Sequence, residues 1–385
     1  MEDIKRVQLS EIVELITKGT TPTTLGYEFQ DEGVNFFKIE CFDENGGFIE
    51  SKVAHISEEC HKKMKRSQLK NGDILFSIAG AIGRVAIVTE EMLPANINQA
   101  LAIIRISDEQ VYLPYIKIIL TSPIVIEQFE RKKQGVAQLN LSLKDINEIS
   151  IPLPSKDKQI ELAELFDKVV GVISKRDKEL SALDDLIKAR FVEMFGFPVS
   201  NSKGWKTEQM GDVAPAVNYK GKFGDEVWLL NLDMVEAQTG RILDYLIVSE
   251  DEVGNSTCIF DTSNVLYSKL RPYLNKVVIP DRCGYATSEL VPLQPAKDKI
   301  NREYLAFMLR SDEFVNMINE KVAGAKMPRV SMGDFRKFDV PIPPMELQNQ
   351  FADFVHQVDK SKVAVQKALD ETQLLFNSLM QKYFG

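Results

Sequence analysis

Two long stretches of this chain repeat apolar residues with a period of seven. The first covers residues 157–195 and contains no proline and only one glycine, Gly171. A sustained heptad predicts a helix that packs along a partner helix, and at 1.5 Å per residue such a helix would be roughly 60 Å long. We expect the seam to consist of Leu162, Phe166, Val169, Ile173, Leu180, Leu183 and Ile187 in the first stretch and of Phe351, Val355, Val358, Val365, Leu369 and Phe376 in the second.

Shorter apolar runs precede the first heptad stretch. Runs rich in Val, Ile and Phe cover residues 36–50, 72–78, 84–89 and 100–106 and are separated by Gly, Asn and Asp, which is typical of strands joined by turns. Helical spacing of apolar residues follows over residues 111–132. The pattern therefore predicts an α+β domain in which a curved β-sheet is flanked by helices.

The second half of the chain repeats the first. SLKDINEISIPLP at residues 142–154 corresponds to SMGDFRKFDVPIP at residues 331–343, and the offset of 189 residues between positions 142 and 331 continues to the last two residues. Earlier segments match at slightly larger offsets, as insertions in loops would cause. Because a fixed period is the sequence signature of repeated structural units, we expect two similar domains, each followed by a long helix.

This order of elements predicts a division of the chain into four parts. Residues 1–151 and 197–340 would form the two domains, and residues 152–196 and 341–385 the two long helices. A helix that begins at one domain delivers the next domain to its far end. We therefore expect an antiparallel helix pair with the domains at opposite ends and a pseudo-two-fold axis between them. The alternative is that each helix packs only on its own domain.

The composition is ordinary for a soluble globular protein, with 44% hydrophobic and 27% charged residues. No apolar run approaches the ~20 residues needed to cross a bilayer, and the N-terminus lacks the pattern of a signal peptide. Four scattered cysteines fit a reducing compartment. We therefore expect a cytoplasmic protein without membrane association. The spacing of Cys and His gives no zinc-binding pattern, so we expect no metal site.

The net charge bears on nucleic-acid binding. It is −9, with an isoelectric point near 5.2, whereas a domain that binds nucleic acid by itself is usually basic. DNA binding is not excluded, because the local field over the binding face decides the attraction. An acidic chain that reads DNA would depend on partner subunits for part of its affinity for phosphates.

Two similar domains in one chain suit a split target on duplex DNA, where protein two-fold symmetry corresponds to spaced half-sites. The loops at matched positions differ, however. Residues 21–24 have no counterpart in the second domain, and Lys269 and Arg271 replace Ile78 and Gly80. We therefore expect an asymmetric target rather than a palindrome.

Candidate DNA contacts lie in the loops of both domains. Lys and Arg would contact phosphates, and Arg, Asn, Gln, Ser and Thr would read base edges. The candidates of the first domain are Lys18, Thr20, Thr21, Thr23, Thr24, Arg84, Asn98, Gln99, Gln138 and Asn140. Those of the second domain are Lys220, Lys222, Ser268, Lys269, Arg271, Tyr273, Asn275, Lys276, Lys326 and Arg329. An ordinary exposed turn is the alternative for each loop. We interpret the basic run HKKMKR at residues 61–66 as a solvated face, because runs of like charge usually are.

Several of these segments resemble the specificity subunit of type I restriction-modification systems. In the first half they are GDILFS at residues 72–77, NQALAIIR at residues 98–105 and PLPSKDKQIELAELFDKV at residues 152–169. In the second half they are NVLYSKLRPYLNK at residues 264–276 and PIPPMELQNQFADFV at residues 341–355. The resemblance covers essentially the whole chain. It rests on the repeat and on the recurring Pro-x-Pro segment with its heptad helix, since no single short motif is diagnostic.

The resemblance implies two target recognition domains spaced by conserved helices, which read a two-part DNA sequence with a fixed spacer. It also implies that two methyltransferase subunits dock on the chain and that restriction subunits join them. The chain itself would be non-catalytic and without cofactor, since S-adenosylmethionine, ATP and magnesium would belong to the partner subunits. The sequence contains no phosphate-binding loop, amino-methyltransferase motif or HExxH. Two alternatives are a coiled-coil scaffold that does not contact DNA and a self-contained DNA-modifying enzyme.

Overall fold

The two halves of the chain fold into two separate units. In the computed structural model, unit 1 comprises Met1–Lys175 together with Ala368–Gly385, and unit 2 comprises Arg176–Lys367. Each unit therefore contains one α+β domain and a segment of each long helix. The residues that the structure describes are 5–43, 45–130, 140–217, 219, 221, 223–322 and 327–384.

The strands of unit 1 are β1 (Arg6–Gln8), β2 (Leu15–Lys18), β3 (Val34–Phe37), β4 (Ala54–Ile56), β5 (Ile74–Ser77), β6 (Val85–Ile87), β7 (Ala95–Ile97), β8 (Leu101–Arg105) and β9 (Ser150–Pro152). An antiparallel sheet has the order β2-β8-β5-β6. A second sheet has the order β4-β3-β7 with β3 and β7 parallel, and β1 pairs with β9. The helices are α1 (Glu58–Lys63), α2 (Leu113–Leu120), α3 (Pro123–Glu130), α4 (Leu143–Asn147) and α5 (Lys156–Phe195), which continues into unit 2.

The strands of unit 2 are β10 (Thr207–Gln209), β11 (Glu226–Leu230), β12 (Leu246–Ser249), β13 (Thr257–Phe260), β14 (Val265–Ser268), β15 (Val277–Val278), β16 (Gly284–Thr287), β17 (Leu290–Leu293) and β18 (Asp339–Pro341). They form the sheets β12-β11-β16-β13, β15-β14-β17 and β10-β18. As in unit 1, the first of these sheets contains one parallel pair, β11 with β16. The helices are α6 (Met210–Val213), α7 (Arg302–Arg310), α8 (Asp312–Lys321), α9 (Met332–Arg336) and α10 (Met345–Phe384), whose end belongs to unit 1.

The repeat found in the sequence is also present in the structure. Strands β9 and β18, helices α4 and α9, and helices α5 and α10 begin and end at positions related by the same 189-residue offset, from residues 150, 143 and 156 to residues 339, 332 and 345. The two short helices also begin alike, because Ser142 and Ser331 each accept a hydrogen bond from the backbone amide three residues later. Two copies of one fold are therefore confirmed.

Equivalent side chains also make equivalent hydrogen bonds inside the two domains. The Tyr115 hydroxyl donates to the Pro152 carbonyl at 2.7 Å, and the Tyr304 hydroxyl donates to the Pro341 carbonyl at 2.9 Å. Burial raises the pKa of both tyrosines well above the ordinary value. Each hydroxyl therefore remains a donor at every physiological pH and ties the first helix after the sheets to the segment that leads into a long helix.

The two long helices run antiparallel to one another within each unit. In unit 1, Phe166 near the start of α5 stacks on Phe384 at the end of α10, with ring centroids 5.3 Å apart. In unit 2, Phe191 near the end of α5 contacts Phe351 near the start of α10 at 5.5 Å. The seam residues named from the heptads are all buried or half-buried. Burial of aromatic rings along the seam accounts for two helices much longer than one domain requires.

The prediction of a strand over residues 36–50 is wrong beyond Phe37. Strand β3 ends there, a 3-10 turn follows at Ile39–Cys41, and the chain then reverses. The Asp43 carboxylate accepts hydrogen bonds from the backbone amides of Asn45 and Gly47 at 2.8 and 2.7 Å. Because an aspartate that bonds the following amides stabilises a turn, this segment does not continue the strand.

The helix predicted over residues 111–132 is divided into two. Helix α2 ends at Leu120 and α3 begins at Pro123. Proline has no amide hydrogen and its ring clashes with the preceding turn of a helix, so it is tolerated at the first position of α3 but not inside one long helix. The matching break between α7 and α8 falls at Ser311, which caps α8.

None of the helices in the described part of the chain combines the length and apolarity that crossing a membrane requires. Among the described residues, no three His, Cys, Asp or Glu side chains are grouped closely enough to hold a metal ion.

Candidate nucleic-acid interface

The loop at residues 18–24 of unit 1, which we call the hydroxyl-rich loop, lies against the turn between β7 and β8. This is possible because residue 19 is a glycine: a Cβ there would overlap the carbonyl oxygens of Ile97 and Asn98. The close approach allows the Thr21 hydroxyl to donate a hydrogen bond to the side-chain carbonyl of Gln99. Two segments that the sequence analysis proposed separately therefore form one surface.

The neighbouring side chains on this surface are exposed, and the Thr24 hydroxyl donates a hydrogen bond to the Thr21 carbonyl at 2.6 Å. Lys18, Thr20, Thr23 and Thr24 are exposed, as are Gln99 and Asn140. Asn98 is half-buried, and its side-chain oxygen accepts a hydrogen bond from the Ala100 amide at 3.2 Å, which fixes the turn. Gln138 lies outside the described residues.

Helix α1, which contains the first half of the basic run, borders the same loop. Tyr27 follows the loop in the chain, and its hydroxyl donates a hydrogen bond to the Glu59 carboxylate on α1 at 3.0 Å. The hydroxyl-rich loop, the β7–β8 turn and α1 thus form a continuous surface of unit 1. Local sequence patterns carry no signal for the contribution of α1, because the contact joins segments far apart in the chain.

Arg84 and Lys276 directly precede the equivalent strands β6 and β15, and both point inward. An Arg84 guanidinium nitrogen donates to the Phe42 carbonyl at 2.8 Å, and the Lys276 ammonium donates to the Leu232 carbonyl at 2.8 Å. Burial lowers the pKa of Lys276, partly offset by the nearby Asp233 carboxylate. Each cation stabilises the turn that follows the first strand of a parallel pair. These two candidates therefore hold the scaffold in position.

The candidate loop of unit 2 has a fixed backbone and a mixed set of side chains. Arg271 and Asn275 both adopt the left-handed conformation, each with φ of 49°. Ser268 and Asn275 are buried, with 3% and 6% exposure, and the Asn275 amide donates to the Arg310 carbonyl at 2.9 Å. Lys269 is half-buried, whereas Arg271 and Tyr273 are exposed. The exposed side chains of this loop are therefore the ones available to a ligand.

Two other segments adjoin this loop. The Arg271 amide donates to the Pro328 carbonyl at 2.8 Å, which brings Arg329 alongside. Arg329 makes two hydrogen bonds to the Glu289 carboxylate, at 3.2 and 2.6 Å, which hold its guanidinium group in one orientation. Lys220, Lys222 and Lys326 lie outside the described residues.

Gln238 was missed by the sequence analysis although it lies beside the loop. Its backbone has φ of 69°, its amide donates to the Leu274 carbonyl at 2.9 Å, and its side chain donates to the Tyr273 carbonyl at 2.9 Å. The signal for it was available, because LLNLDMVEAQTGRIL at residues 229–243 matches FFKIECFDENGGFIE at residues 36–50. The matching turn of unit 1 also lies against the equivalent strand, since Gly46 approaches the Val85 carbonyl as Gly240 approaches the Val277 carbonyl.

Comparison with known proteins places this architecture in one family. A family model described as the type I restriction modification DNA specificity domain matches residues 1–182 and 202–372. The chain belongs to this family. The type I restriction modification DNA specificity domain thus occurs twice in the chain, as the internal repeat requires.

Members of the type I restriction modification DNA specificity family that resemble the chain include two from Escherichia coli. The EcoDI specificity subunit is 22% identical over 281 residues, 62% of this chain and 62% of the relative. The EcoBI specificity subunit is 32% identical over 153 residues, 39% of this chain and 31% of the relative. The chain spans less than two thirds of the length of these two relatives.

A solved structure shows the same fold. The S subunit of a type I restriction-modification system from M. genitalium superposes with a TM-score of 0.54 at 15% identity, and the superposition covers 100% of this chain and 97% of that chain. The α+β fold with its long helices is therefore shared with a specificity subunit of known structure.

Proposed function

We propose that this chain is the non-catalytic DNA-specificity subunit of a type I restriction-modification complex. Residues 1–151 and 197–340 would be target recognition domains, each reading one half of an asymmetric, two-part target. Residues 152–196 and 341–385 would set the unspecified spacer between the halves. The observation that supports this is that the two copies of one scaffold expose different side chains. Unit 1 presents the Thr21–Gln99 pair, and unit 2 presents Arg271, Tyr273 and Arg329.

The surface of unit 1 has the chemistry of base readout. The Gln99 carbonyl already accepts from Thr21, so its amide group is oriented to donate to an acceptor on a base edge. Neutral hydroxyl and amide groups discriminate base pairs in the major groove through such bonds, each worth about 1–3 kcal/mol for a good bidentate pair. Thr20, Thr23 and Thr24 offer further hydroxyls beside it.

The surface of unit 2 is cationic and aromatic. An exposed arginine such as Arg271 contacts guanine edges or phosphates. Arg329 is held in direction by Glu289, which suits a contact that must fit one base rather than any phosphate. We therefore infer that the two units read different sequences.

Catalysis in this proposal belongs to partner subunits. Two methyltransferase subunits would dock on the chain, flip the target adenine and methylate it with S-adenosylmethionine, and restriction subunits using ATP and magnesium would join them. Exposed apolar side chains on the long helices suit such docking: Leu186 is 48%, Val363 71% and Leu374 66% exposed.

Footprinting of the assembled complex on DNA tests this function. We expect protection of two separated patches, one for each recognition domain, and no turnover by the chain alone with magnesium or S-adenosylmethionine. Absence of protection would favour a scaffold without DNA contact, and turnover without partners would show a self-contained enzyme. Either result contradicts the proposal.

A further inference from the structure

A short turn in unit 1 presents a dense group of cations. Helix α1 ends at Lys63, and a 3-10 turn covers Lys65–Ser67. Lys62, Lys63, Lys65 and Arg66, which we call the basic turn, are all exposed. Lys62 pairs with Glu58 at 3.4 Å. Within the described residues, the other three cations have no carboxylate in ion-pair distance.

The backbone of the basic turn is anchored in the interior. Asn96 of β7 is fully buried, and its amide donates to the Met64 carbonyl at 3.1 Å and to the Ser67 hydroxyl at 2.9 Å. The Asn96 side-chain oxygen is hydrogen-bonded to the His61 ring. Burying an amide is costly unless its groups are hydrogen-bonded. A solvated lysine-rich face needs no such anchor. The buried hydrogen bonds therefore fix the position of these charges on the surface.

The anchor also places the basic turn beside the reading surface. Asn96 lies in β7, and Gln99, which accepts from Thr21, lies in the turn that follows this strand. The α1 helix that carries Lys62 and Lys63 is bonded through Glu59 to Tyr27. One strand and one helix therefore hold the cations next to the proposed base contacts.

Unit 2 lacks these cations in the matched segment. Strand β12 pairs with β11 as β4 pairs with β3, and a serine is the N-cap of the next helical turn in both cases, Ser57 in unit 1 and Ser249 in unit 2. Acidic residues come next in both units, Glu58 and Glu59 after Ser57 and Glu250–Glu252 after Ser249. The basic turn then follows in unit 1, whereas residues 253–260 of unit 2, which end with strand β13, contain no Lys or Arg. A polyanion would therefore be attracted to this segment in unit 1 but not in unit 2.

We propose that the basic turn grips the phosphodiester backbone of DNA beside the half-site read by unit 1, and that unit 2 makes no phosphate contact at the matched position. This inference rests on the proposed function and departs from the interpretation of the run as a solvated face. Phosphate contacts supply affinity and position without sequence information. The grip would thus anchor an acidic chain on DNA through one unit.

The test uses the full chain assembled with its methyltransferase subunits. The ligand is a DNA duplex that carries the sequence methylated by this complex. A variant with Lys63→Gln, Lys65→Gln and Arg66→Gln is compared with Lys5→Gln, Arg6→Gln and Lys52→Gln, which removes the same charge from exposed side chains elsewhere in unit 1. The slope of log K against log salt is negative, and each lost phosphate contact reduces its magnitude by roughly 0.9. We expect the magnitude of the slope to fall by about 2–3 for the basic-turn variant only. Both variants should methylate the same DNA sequence as the wild type.

The possible results separate the two claims. If the wild-type complex binds DNA and the basic-turn variant keeps its slope, or both variants lose it equally, the grip is refuted and the proposed function stands. A wild-type complex that does not bind duplex DNA refutes both. If the triple variant fails to assemble, Lys65→Gln alone must reduce the magnitude of the slope by roughly 0.9. An unchanged slope in that variant again refutes the grip.

Discussion

At the scale of single residues, a few small or buried groups determine where the exposed ones lie. Gly19 lets the hydroxyl-rich loop touch the carbonyls of Ile97 and Asn98, and Asn96 anchors the basic turn from the interior. Neither residue would contact DNA in the proposal. Both are required for the arrangement of the residues that would.

Substitution of Gly19 tests this role. We expect Gly19→Ala to destabilise the protein by about 1–3 kcal/mol, because the added methyl group forces the loop away from β7. Gly171→Ala is the matched control, since a Cβ at residue 171 meets nothing within 4 Å and alanine stabilises a helix by up to about 1 kcal/mol relative to glycine. Unfolding in denaturant measures both. Equal stability of Gly19→Ala and wild type would contradict the close approach.

The sequence identified part of this surface and missed the rest for a physical reason. Polar residues in loops are expected to be exposed, and for Thr20, Gln99 and Arg271 they are. Ser268 and Asn275 are of the same polar type but are buried, because non-local contacts decide burial. The hydrogen bond from Thr21 to Gln99 joins positions far apart in the chain, and local patterns carry no information about such a pair.

At the scale of elements, hydrophobic periodicity predicted the long helices better than the strands. A heptad sustained over forty residues fits a helix and does not fit a strand. Helix α5 accordingly begins within one residue of the predicted position, at Lys156. The short strands depend on single residues. Asp43 reverses the chain inside the first predicted strand by accepting hydrogen bonds from two amides, and Pro123 interrupts a predicted helix.

The seam between the long helices differs in the two units. In unit 2, the Lys362 ammonium lies 2.6 Å from the Asp184 carboxylate, and these side chains are 28% and 36% exposed. The 189-residue offset assigns Ile173 and Gln373 to the matched positions of unit 1. Polar pairs at a seam specify register, so we infer that this ion pair favours one alignment of α5 with α10.

A double-mutant cycle with Lys362→Ala and Asp184→Ala tests this inference. We expect a coupling free energy of unfolding of about 0.5–1 kcal/mol, because solvent screens a pair that is one third exposed. The coupling should shrink at high salt. The cycle with Lys188→Ala and Asp185→Ala is the control, since that pair is 3.8 Å apart with 62% and 72% exposure and should show no coupling. Equal couplings in both cycles would contradict a role in register.

At the scale of the whole molecule, the repeat supplies two copies of one scaffold whose exposed loops are different. Tyr115 and Tyr304 show how closely the interiors agree. The basic turn of unit 1, which has no cationic counterpart in residues 253–260 of unit 2, shows how far the surfaces diverge. A common interior with divergent loops is the organisation expected when function lies in loops carried by a rigid scaffold.

The central claim is that each unit reads its own half of a split target. Sites methylated in cells that express the chain with its methyltransferase subunits can be mapped for wild type, Gln99→Ala and Arg271→Ala. The account predicts a two-part sequence with a fixed spacer, relaxed only in one half by Gln99→Ala and only in the other half by Arg271→Ala. A contiguous target, or the same half altered by both variants, would contradict it.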